Sequence, residues 1–402
     1  QMSKLDELIA ELCPDGVPYK TLGELGYFYG GLSGKSKEDF TNGNAKFITY
    51  MNVFTNLAID TDISDLVRIG ENEKQNTVQY GDILFTGSSE TPDECGMSSV
   101  LTEVSDEKFY LNSFCFGFRL KDNNLLLPDF SKYLFRSQNI RKQIKRTANG
   151  VTRFNVSKKK MEQVVIPLPP LPVQQEIVRI LDNFTELTAE LTAELTARRK
   201  QYEYYRDLLL TFGDDVPRLA ISDLLIRTKG TNITAQKMRQ LHKENGEVRI
   251  FAGGKTYADV DFKDIPKKDI NLNPSIIVKS RGIIEFEYYD KPFSHKNEFW
   301  SYYSENKNVN IKFVYYYLSK NANYFQRIAN NMQMPQISIP VTDKYKVPLP
   351  PIKEQECIVS ILDRFDALCN DLTSGLPAEI EARQKQYEYY RDKLLSFKEV
   401  TA

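Results

Sequence analysis

The chain has 402 residues, with 53 Lys and Arg against 54 Asp and Glu, a net charge of −1, five Cys and only two His. At 41% hydrophobic and 27% charged it is a globular chain with room for two or three ordinary domains, and no apolar run approaches the ~20 residues a membrane helix needs. The odd, scattered cysteines suit buried thiols in a reducing cytoplasm and exclude a Cys-framed zinc site, while His242 and His295 stand apart with no HExxH or GxSxG pattern, which disfavours a histidine-dependent hydrolase or metalloenzyme.

The start, Gln1-Met2-Ser3-Lys4-Leu5-Asp6-Glu7-Leu8, is polar and amphipathic and lacks the apolar centre of a signal peptide. β-Branched and aromatic runs bounded by Gly, Asn and Asp predict strands at residues 46–50, 82–85 and 114–118, and a helix follows over 128–145. Four prolines (Pro167, Pro169, Pro170 and Pro172) then lead into residues 173–212, which contain neither Gly nor Pro. Apolar residues at 173, 177, 180, 181, 184, 187, 191 and 195 make a helical stripe, and Gly213 is a natural stop. Such a helix spans roughly 60 Å, too long to be the core of one small domain.

Inside it, Glu-Leu-Thr-Ala occurs three times between Glu186 and Ala197. It is either good helix filler or a ruler, since each added tetrapeptide lengthens a helix by roughly 6 Å. Further strands are expected at 275–278 and 282–286, and a helix over 311–328 that aligns with the earlier one at Tyr133 against Tyr317. A second Pro-rich stretch leads into residues 352–402, where Gly375 and Pro377 predict a break into two helices.

These segments repeat. Pro167-Leu168-Pro169-Pro170 recurs as Pro348-Leu349-Pro350-Pro351, Gln174 as Gln355, Ile177 as Ile358, Leu181 as Leu362 and Phe184 as Phe365. Lys-Gln-Tyr-Glu-Tyr-Tyr-Arg-Asp at 200–207 recurs unchanged at 385–392, and Val17-Pro18 is echoed by Val216-Pro217. Two halves follow, each a variable region and then a near-identical helical segment: residues 1–172, 173–212, 213–351 and 352–402. The expected fold is α+β, with two mixed α/β domains separated by two long antiparallel helices in a coiled coil, related by a pseudo-two-fold internal repeat. Packing of each helix on its own domain stays open. So does the role of the tyrosines Tyr202, Tyr205, Tyr387 and Tyr390, which suit either helix pairing or subunit docking.

The near-zero net charge hides its distribution. Residues 213–351 carry 21 basic and 15 acidic side chains. Between residues 130 and 161 stand ten basic residues and no acidic one: Lys132, Arg136, Arg141, Lys142, Lys145, Arg146, Arg153, Lys158, Lys159 and Lys160. Local field, not net charge, attracts a polyanion, so this stripe is a candidate phosphate contact, with a solvated helix face as the plain alternative. Loops mixing Gly, hydroxyl and basic residues add Lys35, Lys37, Ser88, Lys255, Lys279 and Arg281, and Arg281 beside Gly282 suits a bidentate contact to guanine. Gly34-Lys35-Ser36 and Gly254-Lys255-Thr256 end like P-loops, but Tyr29 and Arg249 stand where the first Gly is required, which argues against nucleotide hydrolysis.

The duplicated Pro-Leu-Pro-Pro, Gln, Ile-Val, Ile-Leu-Asp, Phe segment with its Tyr-rich tail resembles the two conserved regions of the specificity (S) subunit of type I restriction–modification systems, over essentially the whole chain. The Thr-Ala-Glu-Leu units at 188–191 and 192–195 resemble a subgroup in which repeat number tunes the target's spacer. The resemblance implies two target recognition domains, each reading half of a split, asymmetric duplex DNA site. It implies that the helices hold the domains apart and dock two methyltransferase (M) subunits, with Gln174, Ile177, Leu181, Phe184, Leu187, Leu191, Leu195, Tyr202, Tyr205, Gln355, Ile358, Leu362, Phe365, Tyr387 and Tyr390 as the spacer and docking residues. Motor-nuclease (R) subunits would join for restriction. S-adenosylmethionine would sit in the M subunits, ATP and magnesium in the R subunits, and no cofactor, metal or catalytic residue on this cytoplasmic chain. A protein-binding scaffold and a fused nuclease are the competing classes; the basic stripe speaks against the first, and the want of a paired acidic-lysine site against the second.

Overall fold

A computed structural model describes residues 3–329, 335–371 and 373–400, leaving Gln1 and Met2 outside the described residues. These fall into two compact units, one within residues 1–191 and 380–402, the other within 192–379.

The first unit holds an antiparallel sheet in the order Gly26–Gly30, Cys115–Leu120, Ile83–Thr86, Ser98–Val100. A second sheet runs Leu66–Val67, Ala45–Ile48, Phe109–Leu111, Thr77–Val78, with the central two strands parallel. The second unit repeats this plan: Ile226–Thr228, Trp300–Tyr303, Ser275–Lys279, Glu285–Tyr289 in one sheet, and Tyr257–Val260, Val248–Phe251, Phe293–His295 in another, its last two strands parallel. The variable regions thus share a topology that their sequences conceal. Successive side chains of these strands point to opposite faces, and Ile83, Leu84 and Phe85, like Ile276, Ile277 and Val278, are all fully buried because each face meets its own apolar cluster.

Two expectations are adjusted. The helix over 128–145 is two, Pro128–Leu134 and Gln138–Thr147, because Ser137 is extended and caps the first with its hydroxyl on the Leu134 carbonyl. Its counterpart is likewise Ile311–Lys320 and Ala322–Ala329. The strand at 282–286 starts instead at Glu285, since Gly282 turns with φ of +75°.

The repeated segments are built identically from their first residues. Tyr19–Thr21 pairs antiparallel with Val165–Pro167, and Arg218–Ala220 with Lys346–Pro348. The Leu168 N–H donates to the Pro18 carbonyl at 2.9 Å and the Leu349 N–H to that of Pro217 at 2.8 Å, so the Val-Pro echo is a shared anchor. Gln174 accepts from the Leu127 N–H and donates to the carbonyls of Leu125 and Pro169; Gln355 accepts from the Asn310 N–H and donates to those of Asn308 and Pro350. Asp182 accepts from the Tyr133 hydroxyl at 2.6 Å and Asp363 from that of Tyr316 at 2.5 Å. Tyr316, not the aligned Tyr317, is therefore the counterpart of Tyr133.

The long helix runs Leu171–Leu209. It ends short of residue 212 because Lys320 donates to the Asp207 carbonyl and to the Thr211 hydroxyl, satisfying its last turn. The second copy is broken as the sequence predicts, into Ile352–Asn370 and Leu376–Leu394. Asp371 accepts from the N–H groups of Thr373 and Ser374, and a side chain at Gly375 would meet the Ala367 carbonyl at 2.5 Å.

The tyrosine tails divide. Tyr390 stacks on Phe184 at 5.5 Å, and Tyr387 lies edge-on to Tyr133. In the second unit Tyr205 stacks on Phe365 at 5.8 Å with Tyr202 beside it, and Arg199 reaches the Cys369 carbonyl, so these two helices run antiparallel. Each tail packs against the Phe of the other copy. Ile177, Leu181, Ile358 and Leu362 are buried, and Leu187, Leu191 and Leu195 half-buried. Tyr204 and Tyr389 remain 65% and 62% exposed.

Candidate nucleic-acid interface

The ten-residue basic stripe does not act as one surface. Arg136 turns inward, donating from Nε to the Ser98 carbonyl at 2.6 Å and from Nη2 to those of Val53, Phe54 and Asn56. Arg141 is buried and donates to the carbonyls of Asp93, Cys95 and Gly96. Burial pushes both guanidiniums down to about 10, which leaves them charged at neutral pH. They staple loops to the helix hairpin, and as phosphate contacts they are corrected: every carbonyl they hold is protein. Sequence could not tell them from their neighbours, since burial at helical spacing is set by what packs above.

Others are partly neutralised. Lys132 pairs with Asp129 at 2.8 Å and Asp182 at 3.1 Å, Lys145 with Asp93 at 2.6 Å, and Lys160 donates to the Asn149 side chain. Lys35 is held by Glu73 and the Arg68 carbonyl, and hydrogen bonds led by the Gly70 N–H bring the Glu73 carboxyl down to about 2. Lys279 is 10% exposed between Glu285 and Glu287. Of the candidate cations, those that are exposed and have no ion pair among the described residues are Lys37, Lys142, Arg146, Arg153, Lys158, Lys159, Lys160, Lys255 and Arg281.

What the structure brings together is two pairs of sequence loops. The strand Ile83–Thr86 continues into Gly87, Ser88 and Ser89; the equivalent strand Ser275–Lys279 continues into Ser280, Arg281 and Gly282. Ser88 pairs with Asn155 and Arg281 with Gln336. The Val156 N–H donates to the Gly87 carbonyl at 2.9 Å and the Ile337 N–H to that of Ser280 at 3.0 Å. Thr86-Gly87-Ser88-Ser89 and Lys279-Ser280-Arg281-Gly282 are thus the same loop in two units.

In the first unit this loop borders an open groove lined by Tyr50, Met51, Phe54, Ser88, Ser89, Glu90, Glu94, Phe114, Val151, Thr152 and Arg153. The Tyr50 hydroxyl donates to the Ser88 carbonyl at 2.8 Å. Arg153 donates from Nε and Nη2 to the buried Ser88 hydroxyl at 3.3 and 3.1 Å, with its guanidinium 5.5 Å from the Phe114 ring centre. Met51, Phe114 and Val151 are 57%, 58% and 90% exposed. Sequence reasoning missed these apolar residues; the Asn149-Gly150 dipeptide, with Gly150 at φ +135° in the connection between Ala148–Asn149 and Phe154–Val156, was the available hairpin signal.

In the second unit Lys255 lies exposed in the Gly253-Gly254-Lys255-Thr256 turn, in a groove shared with Lys279, Tyr257 and Arg249. Arg249 is bidentate to Asp259 at 2.7 and 2.9 Å and stacked over Tyr257. Among the described residues no group of three His, Cys, Asp or Glu could hold a metal ion, and no helix is long and apolar enough to cross a membrane.

The model of the type I restriction modification DNA specificity domain matches this chain twice, over residues 14–198 and 219–382. The Escherichia coli type I restriction enzyme EcoR124I/EcoR124II specificity subunit is 34% identical over 263 residues, covering 60% of this chain and 65% of its own length. The chain thus aligns with somewhat less than two thirds of that relative. The crystal structure of a type I restriction–modification S subunit from M. genitalium matches with a TM-score of 0.56 at 16% identity, covering 94% of this chain and 96% of the other. A chain from a study of complex assembly and conformational transition of the type I system matches at 0.58, with 15% identity and 96% and 98% coverage. At such identities the likeness is one of fold.

Proposed function

The chain belongs to the type I restriction–modification DNA specificity family, and from that premise we propose that it is the non-catalytic DNA-reading subunit of a multisubunit methyltransferase and restriction endonuclease. Residues 1–172 and 213–351 are two recognition domains, each reading one half of a bipartite, asymmetric duplex site. The helical segments 173–212 and 352–402 set the gap between half-sites and dock two methyltransferase subunits, to which motor-nuclease subunits add. S-adenosylmethionine belongs to the methyltransferase subunits and ATP with magnesium to the motor subunits, all in the cytoplasm. The candidate phosphate contacts are Lys37, Lys142, Arg146, Lys158, Lys159 and Lys255.

One observation carries the reading. The same topology occurs twice, and its equivalent loops, Thr86-Gly87-Ser88-Ser89 and Lys279-Ser280-Arg281-Gly282, differ in every residue. A constant scaffold with unlike hydrogen-bonding loops is what two unlike half-sites require. The exposed Tyr204 and Tyr389, at equivalent places in the two tails, support docking of two copies of one partner. Methylation-sensitive sequencing of DNA from cells producing the chain with its methyltransferase subunit tests this. The expected result is two short defined blocks separated by a gap of fixed length; a single unbroken motif, or methylation without preference, refutes it.

A further inference from the structure

We propose that each unit presents one base-reading guanidinium at the end of the same strand, Arg153 in the first and Arg281 in the second, and that Arg153 reads a guanine in the major groove. This rests on the reading of the chain as a DNA specificity subunit and deepens it.

The two arginines reach one topological spot by different routes. Arg281 stands on the loop itself, at the position whose strand partner is Gln336. In the first unit that position is Ser88, too short to reach a base, and its partner is Asn155. The guanidinium comes instead from Arg153, at the far side of the hairpin, and is tied to the Ser88 hydroxyl.

The tie fixes which edge is free. Ser88 takes the side edge, Nε and Nη2, and the Phe114 ring supports one face. The end edge, with one hydrogen on Nη1 and one on Nη2, is left unused by these partners, and that fork matches O6 and N7 of guanine. Holding the fork before binding lowers the ordering cost on the DNA.

The rest of the groove suits base edges better than phosphates. Glu90 and Glu94 would repel a phosphate, whereas a carboxylate accepts from the amino group of cytosine. Met51, Phe114 and Val151 are exposed apolar groups of the sort that contact a thymine methyl. Phosphate attraction is left to Lys142, Arg146 and Lys159, which have no ion pair among the described residues.

The test uses the complex of this chain with its methyltransferase subunits, and duplexes that change one base pair at a time in each half of the motif. R153A is expected to flatten discrimination at a single base pair of one half-site by roughly 5- to 150-fold, with the other half-site unchanged. R153K should lose as much, because an ammonium lacks the fork. R281A should act at a single base pair of the other half-site. The salt dependence of binding should stay as in the wild type for R153A and R281A, while K159A should lower its slope by about one without changing preference.

Arg153 is exposed and its polar partner is the single Ser88 hydroxyl, so R153A should lower the thermal midpoint by no more than about 2–4 °C. The inference is overturned if R153A weakens all duplexes alike with a shallower salt slope, or changes preference nowhere while the wild type discriminates. A wild-type complex that discriminates among no duplexes refutes instead the specificity reading on which it rests.

Discussion

Replacing Gln174 or Gln355 by Met keeps the side-chain volume and removes every polar atom. Both glutamines are fully buried, and each makes three hydrogen bonds to main-chain groups, at 2.9, 2.9 and 2.8 Å for Gln174 and 2.9, 3.0 and 2.7 Å for Gln355. Substitution strands one N–H and two carbonyls. At the low end of ~1–3 kcal/mol for each stranded buried group, the loss is about 3–4 kcal/mol per unit. Trp300, the single tryptophan, is buried in the second unit and donates to the Thr342 hydroxyl, so its fluorescence reports that unit.

With an unfolding slope of about 2–3 kcal/mol per molar urea, Gln355→Met should lower the Trp300 midpoint by roughly 1–2 M. Gln174→Met should move the far-ultraviolet dichroism transition of the first unit and leave Trp300 nearly unmoved. A Trp300 shift below about 0.3 M in Gln355→Met would refute the reasoning, because the three bonds would then add almost nothing. Equal Trp300 shifts in both variants would refute the independence of the two networks.

Inserting one Thr-Ala-Glu-Leu unit after Ala197 lengthens the helix by roughly 6 Å, and the gap in the methylated motif should grow by about one to two base pairs; an unchanged gap means the repeats are filler. Arg141→Met should destabilise the first unit by about 3 kcal/mol in thermal or urea unfolding, since three carbonyls lose their donor, while Lys159→Ala should stay within about 0.5 kcal/mol; the opposite order contradicts the assignment of Arg141 to the interior. His295 is buried and burial lowers its pKa below 6.5. The unfolded chain therefore binds a proton below about pH 6.5 that the folded unit refuses, so stability read at Trp300 should fall from pH 7 towards 5. His295→Gln should flatten that slope, and a slope unaltered by the substitution rejects the histidine as its source.

The legible parts of this fold were those written twice. Pro-Leu-Pro-Pro, the glutamine and the tyrosine tail announced two like segments before any coordinate, and Gly375 with Pro377 marked the helix break where it occurs. The shared topology of the variable regions was not legible. Strand pairing is set by long-range partners and tolerates almost any apolar residue, so identity is lost while the sheet order survives. The candidate site was legible as loops but not as places: Ser88 and Arg281 were both marked by composition, yet nothing in the chain shows that they occupy one position. The basic stripe was legible as charge alone, and its reading failed at Arg136 and Arg141.

The sequence by itself determined the two-fold organisation, the helical spacers and the local concentration of positive charge, because these follow from periodicity, breakers and counting along the chain. Only the tertiary structure decided which charges face outward, which tyrosines stack and which loops are equivalent. Those depend on which distant segment supplies the nearest carbonyl, ring or hydroxyl: Ser98 and Val53 for Arg136, Phe184 for Tyr390, Ser88 for Arg153.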